Sequence, residues 1–179
     1  MRTISFLLLA LAVPACVADD PPSVGATDQA VHNSLPPNVP AALTPAAGQR
    51  LAFHFDATGV QKYLCTAAKW VFVAPDAQLF QASDPNSVGH HYAGPTWEFQ
   101  DGSTVVAAKV AAATVDPTAI PWLLLVATSH NTIDGRMTDI TSIQRLETQG
   151  GLAPAGACTD GATADVPYTA TYYFYRTQD

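Results

Sequence analysis

Short alternating segments separated by turn residues most limit how this chain of 179 residues can fold. From Arg50 onward, runs of strand length that are rich in Val, Ile, Thr and aromatic residues recur about every ten residues. The 11 Gly and 14 Pro predict many turns, and no segment has the apolar period of an amphipathic helix. The pattern predicts an all-β domain over residues 49–179, a single-domain β-sandwich or barrel-like antiparallel fold with long loops.

About nine or ten strands are expected at this spacing. Residues 51–55 alternate between bulky apolar and smaller or polar side chains, and Ala-Thr-Gly at 57–59 is interpreted as a turn into a second strand. A third strand beginning at Lys69 is expected to end at Pro75. Residues 104–115 contain enough Ala for a helix, but their Val and Thr favour a long strand.

The first sixteen residues have the layout of a bacterial export signal. Arg2 gives a positive start, residues 4–12 are apolar, and small residues then lead to Cys16. The apolar run is too short to span a bilayer, which takes about 20 residues. The ending VPAC resembles a lipobox, in which the Cys is lipidated, although a Pro stands at its second position. The alternative is an ordinary signal peptide that is cut nearby, for example after Ala15.

Residues 17–48 follow the leader and are rich in Pro, Ala, Ser and Asn without apolar periodicity. This composition predicts a flexible, partly polyproline-like tether between the leader (residues 1–16) and the β-domain. A lipid on Cys16 would attach the chain to a bacterial membrane at ~0.8 kcal/mol per buried CH₂. The predicted location is therefore extracytoplasmic, as a cell-envelope lipoprotein or a secreted protein.

Export changes how the three cysteines are interpreted. With Cys16 lipidated, Cys65 and Cys158 remain as a pair, and in an oxidising compartment the simplest state of a pair is a disulfide. The chain-entropy model gives such a bond on the order of 4–5 kcal/mol. The alternative is a redox or metal pair, but no other His or Cys lies at ligand spacing beside either residue.

The charge of the chain bears on its partners. The formal charge is −7, and the 8 Lys and Arg residues are scattered rather than clustered. Phosphate binding needs clustered basic residues, so the sequence argues against a nucleic-acid partner. The partners predicted are a bacterial membrane through the lipid anchor and a small-molecule or envelope ligand.

Residues 89–103, GHHYAGPTWEFQDGS, are the densest group of polar and aromatic side chains. His90 and His91 are adjacent, so in a strand they point to opposite faces. A metal site would need three or four ligands from this segment and beyond, whereas the alternative is one packed and one surface His. No metal and no cofactor is predicted. The candidate site residues are His90, His91, Tyr92, Trp97, Glu98, Asp101 and His130.

Two pairs of residues could in principle support hydrolysis, and each has a more ordinary interpretation. Glu98 and Glu147 are the two Glu residues and could act as a glycosidase pair, but strand carboxylates are more often solvated or ion-paired. Ser129 and His130 adjoin in sequence, yet a catalytic triad is a spatial arrangement, and no GxSxG motif is present.

Aromatic residues are the last group with functional potential. Trp70, Trp97, Trp122 and the tyrosines could form a stacking surface for a sugar or an apolar ligand, although core packing is the usual role. Aromatics on both faces of the last strand suggest a central strand with one side in the core. Alternation places Tyr168, Ala170, Tyr172 and Phe174 on one face and Tyr173 and Tyr175 on the other.

Several segments occur in the same order in a secreted bacterial and fungal family: GVQKYLC, HHYAGPTWEFQDGSTVVA, IPWLLLVATS, ITSIQRLETQGGLAPAGAC and VPYTATYYFY. Over residues 35–175 the chain resembles that family, the domain of unknown function DUF3455. The resemblance implies a mostly-β extracytoplasmic domain with two cysteines placed like Cys65 and Cys158. Some fungal members are labelled malate dehydrogenase-like, but this chain has neither a GxGxxG motif after a strand nor βαβ alternation.

The sequence favours an extracytoplasmic, lipid-anchored β-domain with a binding or envelope-structural role. The alternative is an extracytoplasmic enzyme, possibly a hydrolase, with a site around His90, His91 and Glu98. Convergence of the His91 and His130 imidazoles with the Glu98 carboxylate in a cleft would favour the enzyme.

Overall fold

The computed structural model describes residues 38–81, 84 and 86–178. The predicted signal peptide, Cys16 and the first part of the predicted tether lie outside the described residues. Within the described ranges, no helix has both the length and the apolar character needed to cross a membrane.

The described residues form an antiparallel β-barrel in which each strand pairs with the next and the last pairs with the first. This confirms the all-β prediction and selects the barrel-like form. The described strands are β1 (Gln49–Thr66), β2 (Lys69–Phe80), β3 (Ser87–Tyr92), β4 (Thr96–Phe99), β5 (Thr104–Ala113), β6 (Trp122–His130), β7 (Ile140–Gly150) and β8 (Thr163–Thr177).

Two strands are longer than the sequence predicts, so the described part holds eight strands rather than nine or ten. The turn predicted at 57–59 is wrong, because β1 continues through Gly59. A Cβ at Gly59 would lie 2.1 Å from the Asp76 carbonyl oxygen, so this glycine allows a close approach of two strands. β2 likewise continues through Pro75, where it pairs with β1 while its pairing with β3 begins at Ala77. Proline is tolerated where a strand has an unpaired side.

One half of the barrel interior is filled by aromatic rings, and we call it the packed half. Phe55 stacks on Phe99 at 5.7 Å between ring centroids, and Phe53 stacks on Phe174 at 5.0 Å. The loop between β6 and β7 covers this end with Arg136, whose guanidinium lies 4.6 Å from the Phe53 ring centroid and 5.2 Å from that of Phe99. A cation over aromatic faces is attracted by their quadrupoles, so Arg136 closes this end without disrupting the core.

A second, smaller cluster lies on the outer face of the barrel. Tyr173 and Tyr175 pack there with Leu124 and Leu146, whereas their neighbours on β8 belong to the inner core. This confirms the predicted division of β8 into two apolar faces. Leu43, in the short 3₁₀ helix Ala41–Leu43 that falls within the predicted tether, is fully buried in this cluster.

The predicted disulfide between Cys65 and Cys158 is confirmed. The two Cα atoms lie 5.9 Å apart across a sequence separation of 93. The bond joins the end of β1 to the loop between β7 and β8. A loop of this length corresponds to about 4.5 kcal/mol of stabilisation in the chain-entropy model.

Candidate functional site

The β3–β4 hairpin is shorter than the strands on either side of it, and this leaves an opening in the barrel wall. β3 pairs with β2 from Ala77 to Phe80, and β4 pairs with β5 from Thr104 to Val106. Residues 69–76 of β2 and 108–113 of β5 therefore extend past the hairpin without a partner strand on that side, as far as the described chain shows. The two edges border the same opening.

Behind this opening lies a cavity of about 440 Å³, within the size range of small-molecule sites. We call this end of the barrel the open half. Phe72 and Pro75 from β2 and Ala112 from β5 line the mouth. Strand β6 supplies apolar wall residues such as Leu123 and Leu125. The inner end, next to the core, is formed by His91, Trp97 and Tyr172.

The inner end is a rigid aromatic cluster. The His91 and Trp97 rings stack at 4.2 Å with an interplanar angle of 10°, and Tyr172 meets both with its edge. The Nδ1 atom of His91 lies 2.8 Å from the carbonyl oxygen of Thr96, so this nitrogen carries the proton and Nε2 is an acceptor. Burial lowers the pKa of His91 to about 3, so the ring is neutral at physiological pH.

Two cations line the cavity. Arg145 on β7 donates from Nη2 to the Pro121 carbonyl oxygen at 2.8 Å and from Nε to the same oxygen at 3.3 Å. Lys109 on β5 lies at the exposed edge. Neither side chain forms an ion pair with a carboxylate among the residues described. Burial raises the pKa of the Tyr172 hydroxyl, and the nearby Arg145 guanidinium opposes that shift.

Two residues of the cavity lining carry buried donors. The Trp97 indole Nε1 is inaccessible to solvent and has no acceptor at hydrogen-bonding geometry in the described part of the protein. The Gln61 amide Nε2 is also inaccessible, and its side chain lies beside the Tyr168 hydroxyl, where it opposes the rise that burial causes in the pKa of Tyr168. A buried donor without a partner costs about 1–3 kcal/mol. Because neither nitrogen has accessible surface, a molecule in the cavity does not reach them in this conformation.

The structure distributes the predicted site residues over several locations. His91 and Trp97 are buried at the cavity, as the alternation of β3 and β4 requires. His90 points to the opposite face, where its Nε2 lies 2.9 Å from Asp76, and the hydrogen bonds from Lys62 and His90 lower the pKa of that carboxyl group. The remaining residues of the hairpin pair with each other, since the Tyr92 hydroxyl donates to Glu98 at 2.9 Å.

Asp101 and His130 serve the packed end of the barrel. The Asp101 carboxylate accepts from the Ser103 backbone N–H at 2.8 Å and from the Arg136 backbone N–H at 2.8 Å. These bonds hold the loop between β6 and β7, whose Arg136 side chain covers this end of the barrel. The His130 Nε2 atom lies 2.9 Å from the Ile140 carbonyl oxygen. Within the described ranges, no group of three or more His, Cys, Asp or Glu side chains is arranged to hold a metal ion.

The two Glu residues considered as a glycosidase pair are each engaged by a different tyrosine. Glu98 binds Tyr92, whereas Glu147 accepts from the Tyr173 hydroxyl at 3.4 Å. Sequence reasoning missed Arg145, Lys109 and Gln61 as cavity residues. A signal for Arg145 was available, because it shares a strand face with Ile143, which is fully buried in the inner core.

Comparisons with known proteins give one family and no individual relative. A family model described as "Protein of unknown function (DUF3455)" matches residues 45–176, which include β1 to β7 and all of β8 except its last residue. No curated protein and no solved structure matches the chain. The match covers most of the chain, and the resemblance noted in the sequence is thereby confirmed. The chain belongs to the DUF3455 family of proteins of unknown function.

Proposed function

We propose that this domain binds a small organic molecule with an apolar body in the open half of the barrel. The single observation that carries the proposal is the cavity of about 440 Å³ behind the gap between β2 and β5. Binding sites for small molecules are concave, mostly apolar and supplied with a few placed polar groups. This cavity has all three properties.

The contrast inside one barrel supports the proposal. The packed half is filled by phenylalanine rings, whereas the open half keeps Trp97 and Tyr172 at the inner end of a cavity that opens through the barrel wall. A core that served stability alone would gain by closing such a cavity with side chains, because burying apolar surface stabilises a protein. A bound molecule with an apolar body would cover that surface.

The proposed location of this activity is the extracytoplasmic side of the membrane. The leader-like residues 1–16, the lipobox-like Cys16 and the disulfide between Cys65 and Cys158 support it. Mass spectrometry of the mature N-terminus tests the anchor. A diacylated Cys16 is expected, and an unmodified N-terminus at a neighbouring small residue would reject the anchor while leaving the export signal in place.

Calorimetric titration with octan-1-ol, a neutral molecule with an apolar chain, tests the binding site itself. We expect saturable binding to the wild-type domain with its disulfide intact. The variant Ala112→Trp places a large ring at the mouth and should weaken binding by on the order of tenfold or more, which corresponds to at least about 1.4 kcal/mol.

Ala108→Trp is the matched control, because Ala108 is exposed on the same strand and does not line the cavity. It should leave the affinity unchanged. If octan-1-ol does not bind, or if both Trp variants bind it as well as the wild type does, the cavity is not the site and the proposal is rejected.

A further inference from the structure

We infer that the bound molecule is an amphipathic anion whose negatively charged head is held by Arg145, while Lys109 adds positive charge at the exposed edge of the cavity. This inference rests on the proposed binding function and names the chemical class of the ligand. The charge of the cavity lining and the volume of the cavity support it independently.

The charge of the cavity lining is opposite in sign to the net charge of the whole chain. The sequence contains 15 Asp and Glu residues against 8 Lys and Arg residues. The cavity has the opposite balance, since Arg145 and Lys109 line it and no acidic residue does so in the described part. A site with one sign of charge and apolar walls concentrates a ligand of the other sign.

Arg145 is the stronger of the two cations for this role. It is half-buried on β7, and no described carboxylate neutralises it. A partly desolvated charge without a counterion is costly, and it interacts strongly with an opposite charge that reaches it. The guanidinium has five donors, of which one on Nε and one on Nη2 contact the Pro121 carbonyl oxygen. The remaining donors serve the neighbouring Tyr172 hydroxyl and a carboxylate that enters the cavity.

The volume and the walls define the rest of the molecule. About 440 Å³ holds the equivalent of roughly fifteen water-sized groups. Leucine, proline and aromatic side chains make up most of the lining, so a small inorganic anion would leave that surface uncovered. A medium-chain carboxylate satisfies both the cations and the apolar wall.

Three probes with the same apolar chain and different heads test this inference: octanoate, octan-1-ol and octylamine. Calorimetric titration into the domain with its disulfide intact should give octanoate an affinity on the order of tenfold above that of octan-1-ol. A hydrogen bond to a charged group increases affinity by about this factor relative to a hydrogen bond between neutral groups. Octylamine should bind most weakly, because its charge has the same sign as the two cations.

Arg145→Gln should bring the octanoate affinity down to that of octan-1-ol when both are measured on the same variant. Lys109→Gln should reduce the octanoate affinity by a smaller factor, since Lys109 is exposed. Arg50→Gln removes an exposed arginine on β1 that does not line the cavity, and it should change neither affinity.

The outcomes separate this inference from the proposed function. If octanoate and octan-1-ol bind equally well, the anion inference is overturned and the apolar site remains. If neither binds, both fall. If Arg145→Gln fails to fold, Lys109→Gln and the salt dependence of octanoate binding decide the matter. An octanoate preference that survives both the removal of Lys109 and high salt would overturn the inference.

Discussion

The packed half and the open half of the barrel each hold an arginine, and the two arginines are used differently. Arg136 lies against three phenylalanine rings at centroid distances between 4.6 and 5.6 Å and closes its end of the barrel. Arg145 lines a cavity and binds a backbone carbonyl oxygen. One sheet therefore provides a filled interior at one end and a hollow one at the other. Substitutions should affect stability in the first half and binding in the second.

The largest effect is expected from a pair of truncations, one in each half. Phe55→Ala removes a fully buried ring and should lower the free energy of unfolding by about 3–5 kcal/mol. Leu123→Ala removes a partly buried side chain that already faces empty space, and it should cost about 1–2 kcal/mol. Urea unfolding measures both. Equal losses would show that the two halves are packed alike.

The disulfide offers the second test, because it joins the end of β1 next to the open half. Replacing Cys65 and Cys158 together by Ser should lower the free energy of unfolding by about 2–5 kcal/mol. Amide hydrogen exchange should speed up more in residues 60–66 than around Phe55, since the bond restrains the open half directly. Uniform acceleration of both regions would contradict the division.

His91 gives the third test, in which stability changes gradually with pH, and it marks where the packed interior ends. Its pKa in the folded state is about 3, below the ordinary 6.5. Between these pH values the unfolded chain binds a proton that the folded chain excludes, so the free energy of unfolding decreases as the pH falls through this window. The slope contributed by one such group is at most about 1.4 kcal/mol per pH unit.

His91→Asn keeps a donor near the Thr96 carbonyl and should remove this contribution to the slope in pH-dependent urea unfolding. His130→Asn is the control, because His130 is exposed at the end of β6 and its hydrogen-bond partner is a backbone carbonyl rather than a carboxylate. If the slope of His91→Asn equals that of the wild type, His91 contributes nothing to it. That result would show that water reaches the cavity wall and that the wild-type ring is protonated without unfolding.

Local and periodic features of the sequence predicted much of the fold. Alternation divided β8 correctly between Tyr172 inside and Tyr173 outside, and counting cysteines identified the bond between Cys65 and Cys158. The continuity of β1 could not be predicted in this way. In the sequence Gly59 looks like a turn residue. In the fold it lets the backbone at Asp76 approach closely, and this contact joins two segments that are distant in the sequence.

The site was predicted in part, for a related reason. The sequence drew attention to residues 89–103 because polar and aromatic groups are concentrated there. A strand separates neighbours, so His91 faces the cavity while His90 faces Asp76. Arg145 comes from a strand more than forty residues later, and its lack of an acidic partner is a property of the assembled interior.

The unpaired border of β2 has a consequence beyond ligand entry. Val71, Phe72 and Val73 are about half exposed along that border, next to backbone groups that no described strand engages. Exposed apolar edges are templates on which a second chain can add a strand, and charged residues such as the neighbouring Lys69 discourage this. The opening through which a ligand enters is therefore also the place where copies of the protein would first associate at high concentration.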